Sequence, residues 1–408
     1  MKNAITASCF RFLAVATVAV LMGGCATPPP APKVVKEPVF FPPAPDEPHI
    51  QFLCHFHGTS DLAKPRRSSF LSYLLGSTPE SFDSAVKPYG IAVLDHKIYI
   101  ADSIAHRIVV FDLAAQKMDS FGLTGRGLLK KPINIRVGPD RNLYVADTLR
   151  EQVVVFDVGG NYVTEYGAPK VRPMDVIVTD TELFVLNVLS ESDADQNITV
   201  FDKTTRQIKR KFGSRGVGPG KFNFPTNLAT DKDGNIYVCD SMNMRIQKLD
   251  REGKCLLSFG KAGDNPGTLS RPRGLAVDKD GIIYVVDARL NAIQLFDKTA
   301  RLLTFIGGLS DTMDLPAQIT IDYDNVSDFA KYIDPGFVAE YLFYVTNQWG
   351  PNKVSVFAFG HSKTPMSPPA PTIPATTNAP AATPVVKPPP TPAAVPVAAP
   401  APAPAPAK

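Results

Sequence analysis

The sequence predicts an all-β fold, a six-bladed β-propeller of four-stranded antiparallel blades, with the last blade closed by an N-terminal strand. Three observations carry this. A β-rich tetrad ending in Asp or Asn recurs at a period of roughly 46 residues, within the range that marks propellers and solenoids. It reads YIAD at 99–102, YVAD at 144–147, FVLN at 184–187, YVCD at 237–240, YVVD at 284–287 and YVTN at 344–347. A second strand signature follows most of them: VVFD at 109–112 and 154–157, TVFD at 199–202, QKLD at 247–250 and QLFD at 294–297. Finally, six units are enough to close a ring, which leaves only short exposed edges.

Taken in chain order, residues 1–24 join a basic start (Lys2, Arg11) to an apolar run from Phe12 to Met22. That run is too short for a membrane span and has the flanks of an export signal. The box LMGGC at 21–25 resembles the bacterial lipoprotein cleavage site, with Met22 where a smaller residue is commoner. The resemblance implies a mature chain that begins at a lipidated Cys25; plain secretion with a free Cys25 thiol is the alternative. Several acyl chains on one cysteine make a stable anchor. Ala26, rather than Asp, implies the outer membrane of a Gram-negative envelope over the inner one. Residues 25–48 then form a Pro-rich linker. Residues 362–408, Pro/Ala-rich and without an acidic residue, form a second disordered arm of polyproline II type.

Between the arms lies the propeller, residues 49–361. Three cysteines, Cys54, Cys239 and Cys255, remain once Cys9 and Cys25 are set aside. Three thiols cannot all pair, so the core and not a disulfide framework holds the fold. The net charge of +4 selects no partner class.

The stretch QFLCHFHG at 51–58 raises a metal-site question, since Cys54, His55 and His57 are all ligand types. Strand alternation places Ile50, Phe52, Cys54 and Phe56 on one face and Gln51, Leu53, His55 and His57 on the other. Cys54 is thereby separated from the histidines. Aligned on the fourth strand LLTFIGG at 302–308, with Phe56 on Phe305, this stretch supplies the outer strand that the sixth copy lacks. The insertion at 58–86 follows; its SSFLSYLL segment suits a short helix with Phe70, Leu71, Leu74 and Leu75 on one side, capping the ring.

Within a copy, Gly/Asp turns part four short strands, as in PTNLATD, KDG, NIYVCD, SMNM, RIQKLD, REG and KCLLSFG over 225–260. The segment 213–250 has a Gly-rich entry, Phe-x-x-Pro, Asp-Gly-Asn and YV-x-D, with Asp240, Asn243 and Arg245 following the strand. It resembles an NHL repeat; 271–287 and 87–112 are further matches, and the copies at 131–167, 172–213 and 315–360 are degenerate. A single tryptophan, Trp349, argues against WD40 or kelch blades. The resemblance implies that Asp102, Asp147, Asp240 and Asp287 tie off loops by accepting backbone amides and, in two copies, the downstream Arg107 and Arg245.

The chemical candidates are few. DKDGN at 231–235 opens like a calcium loop, but its glycine comes early and Met242 stands where a bidentate Glu is required. Of the histidines (His49, His55, His57, His96, His106, His361), only His106 falls near the channel's loop-bearing face, and one histidine makes no zinc site. No cofactor or metal is expected. The links between blades carry the strongest signal: Arg126, Lys130 and Lys131; Lys170 and Arg172; Arg215 and Lys221; Lys261, Arg271 and Arg273. Against these stand Asp264 and the acidic stretches 307–316 and 191–197. A basic arc of this kind attracts anions. The expected function is therefore a non-catalytic cell-envelope lipoprotein, a monomeric propeller whose basic loop face binds a protein partner or an anionic envelope polymer. NHL domains that bind RNA use this face, but export removes nucleic acid as a ligand. The alternative is a metal-dependent hydrolase or lyase acting at the central channel, as in the amidating lyases and lactonases that the resemblance brings in.

Overall fold

The computed structural model describes residues 37–62, 84–167, 172–188, 196–307 and 312–363. The expected export signal, Cys25, the segment 63–83 with its expected helix, Lys170, most of the acidic insertion and the tail from Thr364 lie outside the described residues.

Five blades follow one another along the chain, each a sheet in strand order 1-2-3-4 from the axis outward. Blade I comprises Pro88–Leu94, Lys97–Asp102, Arg107–Asp112 and Lys117–Phe121. Blade II comprises Pro132–Val137, Leu143–Asp147, Gln152–Phe156 and Tyr162–Gly167. Blade III comprises Pro173–Val178, Glu182–Asn187, Ile198–Asp202 and Ile208–Phe212. Blade IV comprises Pro225–Thr230, Ile236–Asp240, Arg245–Leu249 and Cys255–Phe259. Blade V comprises Pro272–Val277, Ile283–Asp287, Ala292–Phe296 and Leu302–Gly307. Every inner strand opens on proline, a strand-start position where a missing N–H is tolerated. The inner strand of blade VI packs against that of blade I, which closes the ring.

Blade VI is assembled from both ends of the propeller. Its first three strands are Pro316–Asp322, Phe337–Asn347 and Val354–Ser362. Two N-terminal strands, β1 (Val39–Phe41) and β2 (Ile50–Phe56), complete it. β2 pairs with the third strand from Ile50 opposite Phe359 to Phe56 opposite Val354. The blade has five strands because β1 adds outside β2, so strand pairing extends into the stretch expected to be linker. Phe41 is buried there, and the Phe40 ring sits 5.6 Å from that of Phe337. A 3-10 helix, Val326–Tyr332, between the first two strands buries Phe329 against Phe56 and Tyr344.

The alternation read for the clasp needs correction. β2 carries a bulge between Phe52 and Cys54, and the same one-residue shift occurs in the outer strands of blades II, III, IV and V. A bulge reverses which residues share a face. Ile50 and Phe52 belong to the core between blades V and VI, whereas Cys54 and Phe56 belong to the core between blades VI and I. Matched on the bulge, Leu53 corresponds to Leu303 and Phe56 to Ile306, one residue from the alignment on Phe305. Cys54 still faces away from His55, whose ring packs at 4.7 Å on Phe52.

Six apolar clusters lie between the blades, one at each blade-to-blade contact. The tetrad tyrosines Tyr99, Tyr144, Tyr237 and Tyr284 are fully buried among them. Burying an aliphatic or phenylalanine side chain stabilises by about 1.5–3 kcal/mol, so each seam adds to closure.

Candidate functional site

Strand register fixes two faces. The start of each inner strand pairs with the end of the second, as Pro88 with Asp102, and the end of the outer strand pairs with the start of the third, as Phe121 with Ile108. The inter-blade links and the loops between second and third strands therefore share one face, termed here the link face.

The tetrad aspartates sit just beneath that face, fully buried. Asp102 accepts the amides of Val86, Lys87, Ile104 and Ala105. Asp147 accepts those of Lys130, Lys131 and Arg150, and Asp287 those of Ser270, Arg271, Arg289 and Leu290. Asp240 accepts the Asn223 amide and side-chain donors from Asn243, Arg245 and Gln247. Each carboxylate thus ties a link to the loop beside it. Arg245 also donates to the carbonyls of Gly218 and Lys221, while Arg107 donates to that of Ser84.

The axial channel holds a feature absent from the expectations above. The third residue of each inner strand is Gly90, Asn134, Asp175, Asn227, Gly274 or Gln318. Two of these side chains reach the neighbouring blade: Asn227 Oδ1 accepts the Leu275 amide, and Asp175 Oδ2 accepts the Leu228 amide and the Asn227 Nδ2 donor. At Gly90 a Cβ would meet Asn134 Cα at 2.5 Å, so only glycine lets the two strands approach this closely. Arg136, two residues beyond Asn134, donates two hydrogen bonds to Asp175 at 3.0 and 2.7 Å and a third to the Leu228 carbonyl. Arg136 borders a cavity of about 290 Å³ at the opposite mouth, shared with Thr230, Thr320 and Tyr323. The repeated Pro-x-(Gly/Asn/Asp/Gln) pattern was the available sequence signal for this belt.

The link-face cations separate into groups. Lys131, Arg215, Lys221 and Arg271 are exposed. Arg126 is exposed as well and lies over the Tyr162 ring, donating to its hydroxyl at 3.1 Å. Arg172 is partly buried, 3.6 Å from Glu151. Arg273 does not belong to the link: it lies on the inner strand, donates to Gln348 at 2.6 Å and stacks on Tyr89 across the channel. Burial there lowers its guanidinium below the ordinary value and raises the Tyr89 hydroxyl. The link ended at Pro272, one residue earlier than the charge pattern suggested.

The remaining ligand types are in structural use. Burial pushes the Cys54 and Cys239 thiols up to about 12. His55 Nδ1 lies 3.1 Å from Ser355 Oγ, and His57 Nδ1 lies 3.2 Å from Asp61. The DKDGN segment is a turn in which Asp231 binds its own Asn235 and the Lys248 ammonium. Among the described residues, no group of three His, Cys, Asp or Glu side chains is placed to hold a metal ion.

Ring, blades and channel define the molecule as a six-bladed β-propeller. The family model of the NHL repeat matches residues 222–249, within blade IV and the link before it. A stretch of 69 residues is 39% identical to the B-box type zinc finger protein ncl-1 of Caenorhabditis elegans, covering 15% of this chain and 8% of that protein. A protein of unknown function from Bacteroides thetaiotaomicron superposes with a TM-score of 0.50 at 18% identity, covering 68% of this chain and 70% of the other. A gluconolactonase from Xanthomonas campestris gives 0.49 at 16% identity over 67% of this chain and 86% of its own. Virginiamycin B lyase from Staphylococcus aureus gives 0.47 at 14% over 68% and 96%. At such identities the structural likeness concerns the fold alone.

Proposed function

We propose that this chain is a non-catalytic envelope lipoprotein, exported and anchored at Cys25, whose link face binds an anionic partner, a protein or an envelope polymer. One observation carries the reading. On the link face Lys131, Arg215, Lys221 and Arg271 are exposed, while the carboxylates Asp102, Asp147, Asp240 and Asp287 are buried beneath it with their oxygens bonded to amides and side-chain donors. The face therefore presents these cations outward and holds the four tetrad anions within, with Asp264 and Glu151 at its surface; the excess of outward cations is what draws in an anionic surface.

The rival, a metal-dependent hydrolase or lyase, would need ligands in the channel. The Asp175 carboxylate of the belt is already bonded by Arg136, Asn227 and two backbone amides.

The test is a cross-linked pull-down from the native envelope with the full chain and with a Lys131→Glu/Lys221→Glu/Arg271→Glu variant. Loss of the captured partner at unchanged melting temperature supports the reading. Full capture by the variant removes it, and stoichiometric metal in the purified chain would favour the rival.

A further inference from the structure

The link face carries a second pattern beneath its charge. Two residues after the strand-ending Asp or Asn, the loop between second and third strands presents Ile104, Leu149, Met242 and Trp349 in four of the blades. All four are exposed, Trp349 to 69%. The links add Val217, 76% exposed at a Gly-Val-Gly tip, and Phe224. More than half of the large apolar side chains exposed among the described residues lie on this face. Blade V places Arg289, a largely exposed cation, at the equivalent loop position.

Protruding apolar tips interspersed with Lys and Arg, with a tryptophan among them, are the composition of a surface that rests in a lipid headgroup layer. The chain path agrees. β1 runs antiparallel to β2, and β2 ends at Phe56 on the link face. Traced back from Phe41 to Glu37, the chain therefore rises toward that face. Eleven residues lie between Cys25 and Glu37, a reach of at most about 40 Å fully extended. An acyl anchor at Cys25 would thus join the described structure from the link-face side.

We infer that the link face docks on an anionic lipid bilayer, its cations meeting headgroup phosphates while Ile104, Leu149, Val217, Phe224, Met242 and Trp349 enter the interface. The inference rests on reading this face as anion-binding and names the anion.

Trp349 is the only tryptophan in the chain, so its fluorescence reports this face alone. The experiment places the full lipidated chain in phosphatidylcholine vesicles with or without phosphatidylglycerol, and with brominated acyl chains as quencher. The anchor keeps the protein at the membrane in both cases, so only docking differs. Expected are a blue shift and bromine quenching that depend on phosphatidylglycerol. A Lys131→Gln/Lys221→Gln/Arg271→Gln variant should lower the docked-to-undocked ratio about a hundredfold, at ~1 kcal/mol per cation. Val217→Ser/Met242→Ser should weaken quenching without moving the melting temperature.

Emission that ignores phosphatidylglycerol and the three neutralisations overturns the inference. If, in that event, the chain still binds soluble dextran sulfate through the same three residues, the anion-binding reading survives and only the bilayer is lost; if it does not, both fall. Emission already blue without phosphatidylglycerol, and shifted red by deleting residues 66–78, would put this chain's own segment over the tips and equally overturn the inference.

Discussion

The link face and the opposite face are made by the same repeat, yet they dispose of charge in contrary ways. On the opposite face, turn aspartates bond their own loops and nearby cations: Asp157 holds Asn161, Asp231 holds Asn235 and Lys248, and Asp297 holds Thr299 and Arg301. Glu182 there takes both Lys209 and Arg210. On the link face the four tetrad aspartates are withdrawn under the surface and bond mainly amides, while Lys131, Arg215, Lys221 and Arg271 stay outward. The comparison teaches that one strand pattern can build a face whose turn carboxylates hold nearby cations and another whose strand-end carboxylates are spent on amides beneath exposed cations.

The largest way to break this contrast is to remove what holds both faces in one ring. Deleting the chain through Leu62 takes away β2, exposing the core that receives Leu53 and Phe56 and the one that receives Ile50. The expected outcome is loss of the cooperative unfolding transition, followed by circular dichroism in urea.

Next comes a matched pair of substitutions. Asp240→Ala leaves Arg245 and the Asn223 amide without their buried carboxylate, and breaking a buried pair this way costs about 3–5 kcal/mol. Asp231→Ala, at a turn of the opposite face, should cost about 1–3 kcal/mol through lost charged hydrogen bonds. Equal losses in denaturant melts would erase the proposed distinction between the faces.

Acid sharpens it further. Hydrogen bonds from Thr299 and the Arg301 amide lower Asp297 to about 2. Burial opposes ionisation of Asp231 and Asp157, but bonds from Lys248 and Asn235, and from Asn161, outweigh it and keep both carboxyls below the usual range. Groups depressed in the folded state stabilise it fully above the unfolded value, ~3.9 for Asp, and lose that contribution as pH falls through the folded values. Stability should hold down to roughly pH 4 and then decline toward pH 2, with Asp297→Asn flattening the lower part of the curve.

The smallest effect belongs to the outward cations. Lys131→Glu and Arg271→Glu should each change stability by less than about 0.5 kcal/mol, as exposed substitutions generally do. A larger loss would mean that these side chains are structural.

Much of this organisation was readable in the residues themselves. The six tetrads, the Gly/Asp turns and the apolar content of 50–56 announce the ring and its clasp, because period and punctuation are local properties. The bulge at Leu53 was hidden, since leucine there suits either register and only the paired strand decides. Arg273 looked like one more link cation because the boundary at Pro272 is set by where the inner strand begins to pair. The belt of Asn134, Asp175, Asn227 and Gln318 stands two residues after the opening proline of four inner strands but has meaning only once inner strands become neighbours. The outward Ile104, Leu149, Met242 and Trp349 escaped for the converse reason: an apolar residue in a loop says nothing of whether anything covers it.

Both ends of the described propeller belong to blade VI, and they leave it in opposite directions. The chain traced back through β1 rises toward the link face, while the strand Val354–Ser362 ends on the other side. A pull applied between Glu37 and Lys363 would therefore run through the pairing of β1 with β2 and then that of β2 with this strand, and would bypass the other five blades. The ring is a buckle whose two straps share one tongue. Stretching a single molecule by those two residues should release blade VI first and leave the remaining blades to give way afterwards.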